Sequence, residues 1–104
     1  DADLAAIQRI LAGTQTSTVY KAAKPEAENA AEIAVDLLLG KDFKSVADTT
    51  KTSGSGDNVP SKLLDAVSVT QANIKDTVVA DGTYKASQIC TADLAAKCAA
   101  AGIS

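Results

Sequence analysis

Asp-Ala-Asp-Leu-Ala-Ala-Ile-Gln-Arg-Ile-Leu-Ala-Gly-Thr-Gln-Thr-Ser-Thr-Val-Tyr-Lys, residues 1–21, is the stretch on which the reading of this chain turns. Leu4, Ile7, Ile10 and Leu11 recur at helical spacing and predict a helix over 2–12, with Asp1 or Asp3 placed to cap its start and Gly13 at its stop. Thr14 to Lys21 is rich in β-branched residues and polar at alternate positions, which predicts a strand with Lys21 at its carboxyl end. Taken by their residue types alone, Asp1 reads as a helix cap favoured by the helix dipole, and Lys21 as a solvated strand-end charge.

Outward from this stretch, Pro25 suits the first turn of a second helix, with Glu26 and Glu28 at its positive end. Ala27, Ala30, Ala31, Ala34, Leu37 and Leu38 fall on one stripe, Glu28, Glu32 and Asp36 mark the wet face, and Gly40 ends the helix. Residues 42–58 carry almost no apolar periodicity and predict a loop exposed at Gly54 and Gly56. The Gly54-Ser55-Gly56 run lacks the buried strand before it, the Lys-Ser/Thr ending and the helix after it that a phosphate-binding loop requires. Residues 59–69 predict an edge strand with Pro60 near its beginning. Thr70 then caps a third helix, whose apolar side is Ile74, Val78 and Val79 and whose end is Asp81-Gly82. Residues 83–90 read as irregular or briefly extended, and a last helix begins near Thr91 or Asp93 and stops at Gly102. The order helix, strand, helix, strand, helix, helix is that of an α/β protein, yet two strands cannot build the parallel sheet this alternation feeds. Either the chain is a small two-layer α+β domain, or it is a piece of a larger α/β protein.

Composition excludes several function classes. The chain has 104 residues, 46% hydrophobic but only 3% aromatic, so one domain is the ceiling and its core is mainly Ala, Val, Leu and Ile. A net charge of −3 with a pI near 4.7 argues against a nucleic-acid partner. No apolar run approaches the roughly 20 residues of a membrane-spanning helix, and Asp1-Ala2-Asp3 has none of the features of a signal peptide, so the chain reads as soluble. With no His and its two Cys outside a Cys-x-x-Cys pair, the chain lacks the commonest general base and the commonest zinc ligand. It therefore reads as a non-enzyme without metal or cofactor.

Residues 1–21 resemble the stretch near the C-terminus of periplasmic sugar-binding proteins of ABC transporters, of the xylose-binding type. The likeness continues through the Ala-rich helix from Glu26 to Leu39, through Val59-Pro-Ser-Lys-Leu-Leu-Asp-Ala-Val-Ser-Val-Thr70, and through Asn73-Ile-Lys-Asp-Thr-Val-Val-Ala-Asp-Gly82. It implies the C-terminal part of a two-lobed type I periplasmic-binding fold, incomplete as an isolated lobe. Residues 1–21 would be the sugar-side helix and strand, and 22–24 a hinge-like crossing. Residues 25–69 would hold the Ala-rich helix, loop and strand, and 70–104 the C-terminal helices. In the intact protein Asp1 and Lys21 match the family's positions that hydrogen-bond sugar hydroxyls. Tyr20, Phe43 and Tyr84 match no position that stacks on the sugar ring. Ser17, Lys62 and Ala66 depart from the family's usual residues without touching those contacts.

The resemblance also implies an extracytoplasmic location, with a monosaccharide and the membrane permease of an ABC transporter as partners. A secreted chain with two Cys eight residues apart gains from a Cys90–Cys98 disulfide. The bridge needs the last helix to begin nearer Asp93, or its entry to fold back, because a helix starting straight after Cys90 would hold the two about 10 Å apart. Two other readings remain. One is the effector-binding part of a sugar-responsive repressor, disfavoured by the lack of a helix-turn-helix. The other is a stand-alone domain that associates with itself through its Ala-rich helical faces, whereas a fragment would pair with itself or with missing upstream sequence to cover the stripes from Leu4 to Leu11 and from Ala27 to Leu38.

Overall fold

The computed structural model describes every residue except Ser55, so the Gly54-Ser55-Gly56 run lies partly outside the described residues. The chain divides into two units, residues 1–21 with 66–104 and residues 22–65.

In the first unit, α1 (Leu4–Ala12) starts at Asp3, whose Oδ1 accepts the Ala6 N–H at 2.6 Å, and ends at Gly13 in the left-handed conformation, φ 87°. Asp3, then, is the cap of the two aspartates the sequence offered. β1 (Thr18–Tyr20) pairs antiparallel with β4 (Val67–Val69), with Thr18 opposite Val69 and Tyr20 opposite Val67. Along β1 Thr18 and Tyr20 are buried while Val19 faces solvent, the period-two pattern of a strand covered on one side, whereas in β4 only Val69 is buried. A π-helical turn (Lys75–Val79) follows, then α3 (Ala86–Ile89), a 3₁₀ turn (Ala92–Leu94) and α4 (Ala95–Ala100). The apolar face of α1 packs on α3, the 3₁₀ turn and α4. Ile7, Leu11, Ile74, Val78 and Ile89 are wholly removed from solvent.

Polar contacts fix α1 at both its flank and its end. Gln8 Nε2 donates to the Gln88 carbonyl at 3.0 Å. Gln71 Nε2 donates to the Leu11 carbonyl, and Lys97 Nζ to that of Ala12. A cation on the last carbonyls of a helix also suits the negative end of its dipole. The predicted Cys90–Cys98 disulfide is present, with Cα atoms 5.9 Å apart. Its stated condition is met, since α4 begins at Ala95 after the 3₁₀ turn.

Residues 70–90 depart from expectation at two places. Thr70 does not cap a helix with its side chain. Its N–H donates instead to Asn73 Oδ1 at 2.8 Å, and Thr77 Oγ1 bonds the Asn73 carbonyl at 2.7 Å. Such side-chain competition for the backbone accompanies bonds of π type, Val79 N–H to Ile74 and Ala80 N–H to Lys75. The stretch 83–90, expected to be irregular, contains the four-residue α3, too short to show a period.

In the second unit, α2 (Ala23–Leu38) begins two residues before Pro25, which still stands in the first turn, where its missing N–H breaks no helical bond. The predicted apolar stripe is not buried: Leu37 is 57% and Leu38 86% exposed. The half-buried positions are instead Pro25, Asn29, Ile33 and Asp36, rotated onto the side where a cleft brings Asn29 and Ile33 near Lys62 and Leu64. The predicted loop over 42–58 holds β2 (Thr49–Ser53) and the start of β3 (Gly56–Ser61), an antiparallel hairpin. Its residues are nearly all exposed on both faces, so no apolar alternation marks it, although the β-branched Thr49, Thr50 and Thr52 suit a strand. The predicted strand over 59–69 is accordingly divided between β3 and β4, and Pro60 lies in a strand of a two-stranded sheet that has no central position.

Lys62 and Asp48 flank the open end of this hairpin, where Thr49 faces Ser61, and meet at 2.5 Å. The Lys62 hydrogen bond holds the Asp48 carboxyl below its ordinary pKa, against an opposing contribution from partial desolvation.

Two outcomes follow. Ile74→Ala should lower stability by about 2–5 kcal/mol through a cavity, while Leu38→Ala should change it by less than about 0.5 kcal/mol, as read from urea unfolding. The Asp48 pKa is depressed on folding, so the pair's contribution is present above the unfolded pKa and is lost as pH falls through the lower folded value. Amide protection at the Thr49–Ser61 end should therefore fall in acid, and Lys62→Met should remove that part of the pH dependence.

Candidate functional site

The two residues singled out by sequence, Asp1 and Lys21, come together. Lys21 Nζ lies 2.9 Å from Asp1 Oδ1, with the side chains 61% and 79% exposed. Asp1 stands two residues before the Asp3 cap of α1, and Lys21 directly follows Tyr20 at the end of β1. The helix start and the strand end thus set down one carboxylate and one ammonium at a common edge of the first unit. A carboxylate offers about four lone-pair sites and an ammonium three N–H donors, so a pair joined by one contact keeps most of its capacity for hydroxyl groups.

Two tyrosines hold the chain beside this pair. Tyr84 Oη donates to the carbonyl of Ala2 at 3.0 Å. Tyr20 Oη and Thr83 Oγ1 share a hydrogen bond of 2.8 Å. The Asp3 N–H bonds back to the Asp1 carbonyl at 2.9 Å. Thr83 and Tyr84 were not among the expected site residues. They lie more than sixty positions from their partners, and no local pattern in the sequence could have tied them together.

A groove of this unit away from the pair has its polar groups already committed. It is an open groove lined by Thr16, Thr70, Gln71, Lys97 and Ala100 among others, at the carboxyl end of α1. Its two strongest donors, Gln71 and Lys97, are engaged on the carbonyls of Leu11 and Ala12. Among the described residues no cluster of His, Cys, Asp and Glu could hold a metal ion. No helix among the described residues is long and apolar enough to cross a membrane.

The chain is 55% identical over 89 residues to the D-xylose-binding periplasmic protein of Escherichia coli and 48% identical to that of Haemophilus influenzae. Each match takes in 86% of this chain. The chain is thus similar to one segment of these periplasmic sugar-binding proteins. It spans about a quarter of the length of these relatives, 26% in both. The multiple sugar-binding periplasmic receptor ChvE of Rhizobium radiobacter is 33% identical over the same length. Among solved structures, a carbohydrate transporter solute-binding protein from Chloroflexus aurantiacus, in complex with D-glucose, superposes with a TM-score of 0.77 at 33% identity, over 85% of this chain and 25% of that one. An ABC transporter solute-binding protein from Clostridium phytofermentans shares the fold, with a TM-score of 0.69 at 24% identity. No family model matches the chain. The mixed helix and strand of the chain accords with part of an α/β lobe.

Because the Asp1–Lys21 pair of this segment is solvent-exposed, Lys21→Met should shift its unfolding free energy by less than about 1 kcal/mol in urea titrations, which separates any effect of that substitution on ligands from one on stability.

Proposed function

We propose that this segment supplies part of the sugar-contacting edge of an extracytoplasmic, non-enzymatic monosaccharide-binding protein that serves an ABC-type uptake system, with xylose or a related sugar as ligand. The supporting observation is the exposed Asp1–Lys21 pair, 2.9 Å across, on a chain 55% identical to a D-xylose-binding protein. Asp1 accepts hydrogen bonds from sugar hydroxyls and Lys21 donates them, and closure over the sugar strengthens both by excluding water. Residues 22–24 serve as the hinge-like crossing, since the chain passes from one unit to the other between Lys21 and Ala22. The membrane partner is the permease of the transporter. The Cys90–Cys98 disulfide accords with an oxidising compartment. A stand-alone self-associating domain finds no support in the relatives named above.

Calorimetric titration of the full-length protein with D-xylose and D-glucose tests the reading. Saturable binding is expected, and Asp1→Asn or Lys21→Met should each weaken it at least tenfold, since a hydrogen bond to a charged group contributes roughly 1.5–3 kcal/mol. The 104-residue segment alone should show no saturable heat below millimolar sugar. Its two charged contacts total roughly 3–6 kcal/mol before the cost of association is set against them. Unchanged affinity in both variants, or micromolar binding by the segment alone, would overturn the assignment.

A further inference from the structure

The segment from Val78 to Tyr84 is built as a rigid corner, and its two outward hydroxyls reach both strands of chain that carry the candidate sugar contacts. Gly82, at φ 79°, turns the chain in the left-handed conformation that a side chain rarely adopts. Asp81 Oδ1 accepts the Thr83 N–H at 3.0 Å, and the Tyr84 N–H donates to the Val78 carbonyl at 3.0 Å. Val78 itself is fully buried, so the corner is anchored in the core of the first unit. From this base the Thr83 hydroxyl meets Tyr20, the residue before Lys21, and the Tyr84 hydroxyl meets the carbonyl of Ala2, the residue after Asp1. The core of the unit alone does not require either bond. Tyr20 is already held by its pairing opposite Val67, and α1 by its buried apolar face. What the two bonds add is a common reference for the peptide units next to Asp1 and Lys21.

We infer that Thr83 and Tyr84 are positioning residues for sugar binding: their hydroxyls, from one rigid corner, set the spacing of the Asp1 carboxylate and the Lys21 ammonium. The inference rests on the proposed roles of Asp1 and Lys21. Pre-set spacing matters because an exposed pair on two separate chain segments otherwise loses conformational freedom when a sugar bridges it, and that loss weakens binding. Neither hydroxyl touches the sugar in this scheme.

The test is calorimetry with D-xylose and D-glucose on the full-length protein, paired with thermal melting. Tyr84→Phe keeps the ring and removes the donor, and Thr83→Val keeps the shape and removes the hydroxyl. Each should weaken sugar binding about three- to tenfold, while Thr83→Ser, which retains the hydroxyl, should restore the original affinity. The decisive arms are double variants. In an Asp1→Asn background Tyr84→Phe should cost no further affinity, and in a Lys21→Met background Thr83→Val should cost none either, because each acts through the group already removed. Full affinity in both Tyr84→Phe and Thr83→Val would overturn the inference. So would losses that multiply in the double variants, or a lowered melting temperature with affinity intact, which would mark the corner as structural only. If Asp1→Asn and Lys21→Met leave affinity unchanged, the site assignment itself fails and this inference with it. The single variants alone reveal that outcome, so the two failures remain distinct.

Discussion

The first unit depends on the burial of one helical face. Ile7, Ile10 and Leu11 of α1 are almost wholly removed from water, and the residues that cover them come from segments more than sixty positions further on. Once α1 is seated, its start is fixed by Asp3 and its end by Gln71 and Lys97. Cys98 lies in the same core, 2% exposed, so the disulfide ties the end of α3 to α4 within it. A staple placed there restricts the unfolded chain most usefully where the helices are shortest, since α3 and α4 have four and six residues and could not persist alone. The edge that carries Asp1 and Lys21 is therefore defined by the hydrophobic burial of the elements behind it. The charges themselves contribute little to holding it.

What the sequence reveals and what it hides follow from the same physics. Leu4, Ile7, Ile10 and Leu11 announce α1 because its cover lies on one side, and Gly13 and Gly102 announce their stops because both adopt positive φ. The contact between Asp1 and Lys21 was not legible in the sequence, since a cap and a strand-end charge predict none and the resemblance implied only a sugar contact for each. The β2–β3 hairpin was hidden because a strand wet on both faces has no alternation to read. The Ala-rich stripe of α2 has the period of a buried face, yet within its unit the helix is half-covered along Asn29 and Ile33 instead. Periodicity reports which face is apolar, and only the neighbours decide which face is covered.

The electrostatic character of the two ion pairs discussed above differs accordingly. Lys62 and Asp48 flank the open end of a hairpin, and their contact perturbs the Asp48 carboxyl. Lys21 and Asp1 join the ends of two elements that burial already holds, and both remain open to solvent. A contact whose members stay accessible can be exchanged for contacts to a ligand without dismantling the fold around it, which is what the proposed role of this pair requires.

The first unit is discontinuous, with residues 22–65 inserted between β1 and β4. Tyr20 cannot meet Val67 until the whole insertion has been synthesised and its ends have come together. Closing a loop of that length costs on the order of 3 kcal/mol in chain entropy, and at about 5–20 residues per second a ribosome needs several seconds to complete it. During that interval α1 has been made but the residues that cover its apolar face have not. Closure of this unit over α1 thus waits on residues 66–104, whereas the inserted unit contains its own helix and hairpin and has its contacts available first.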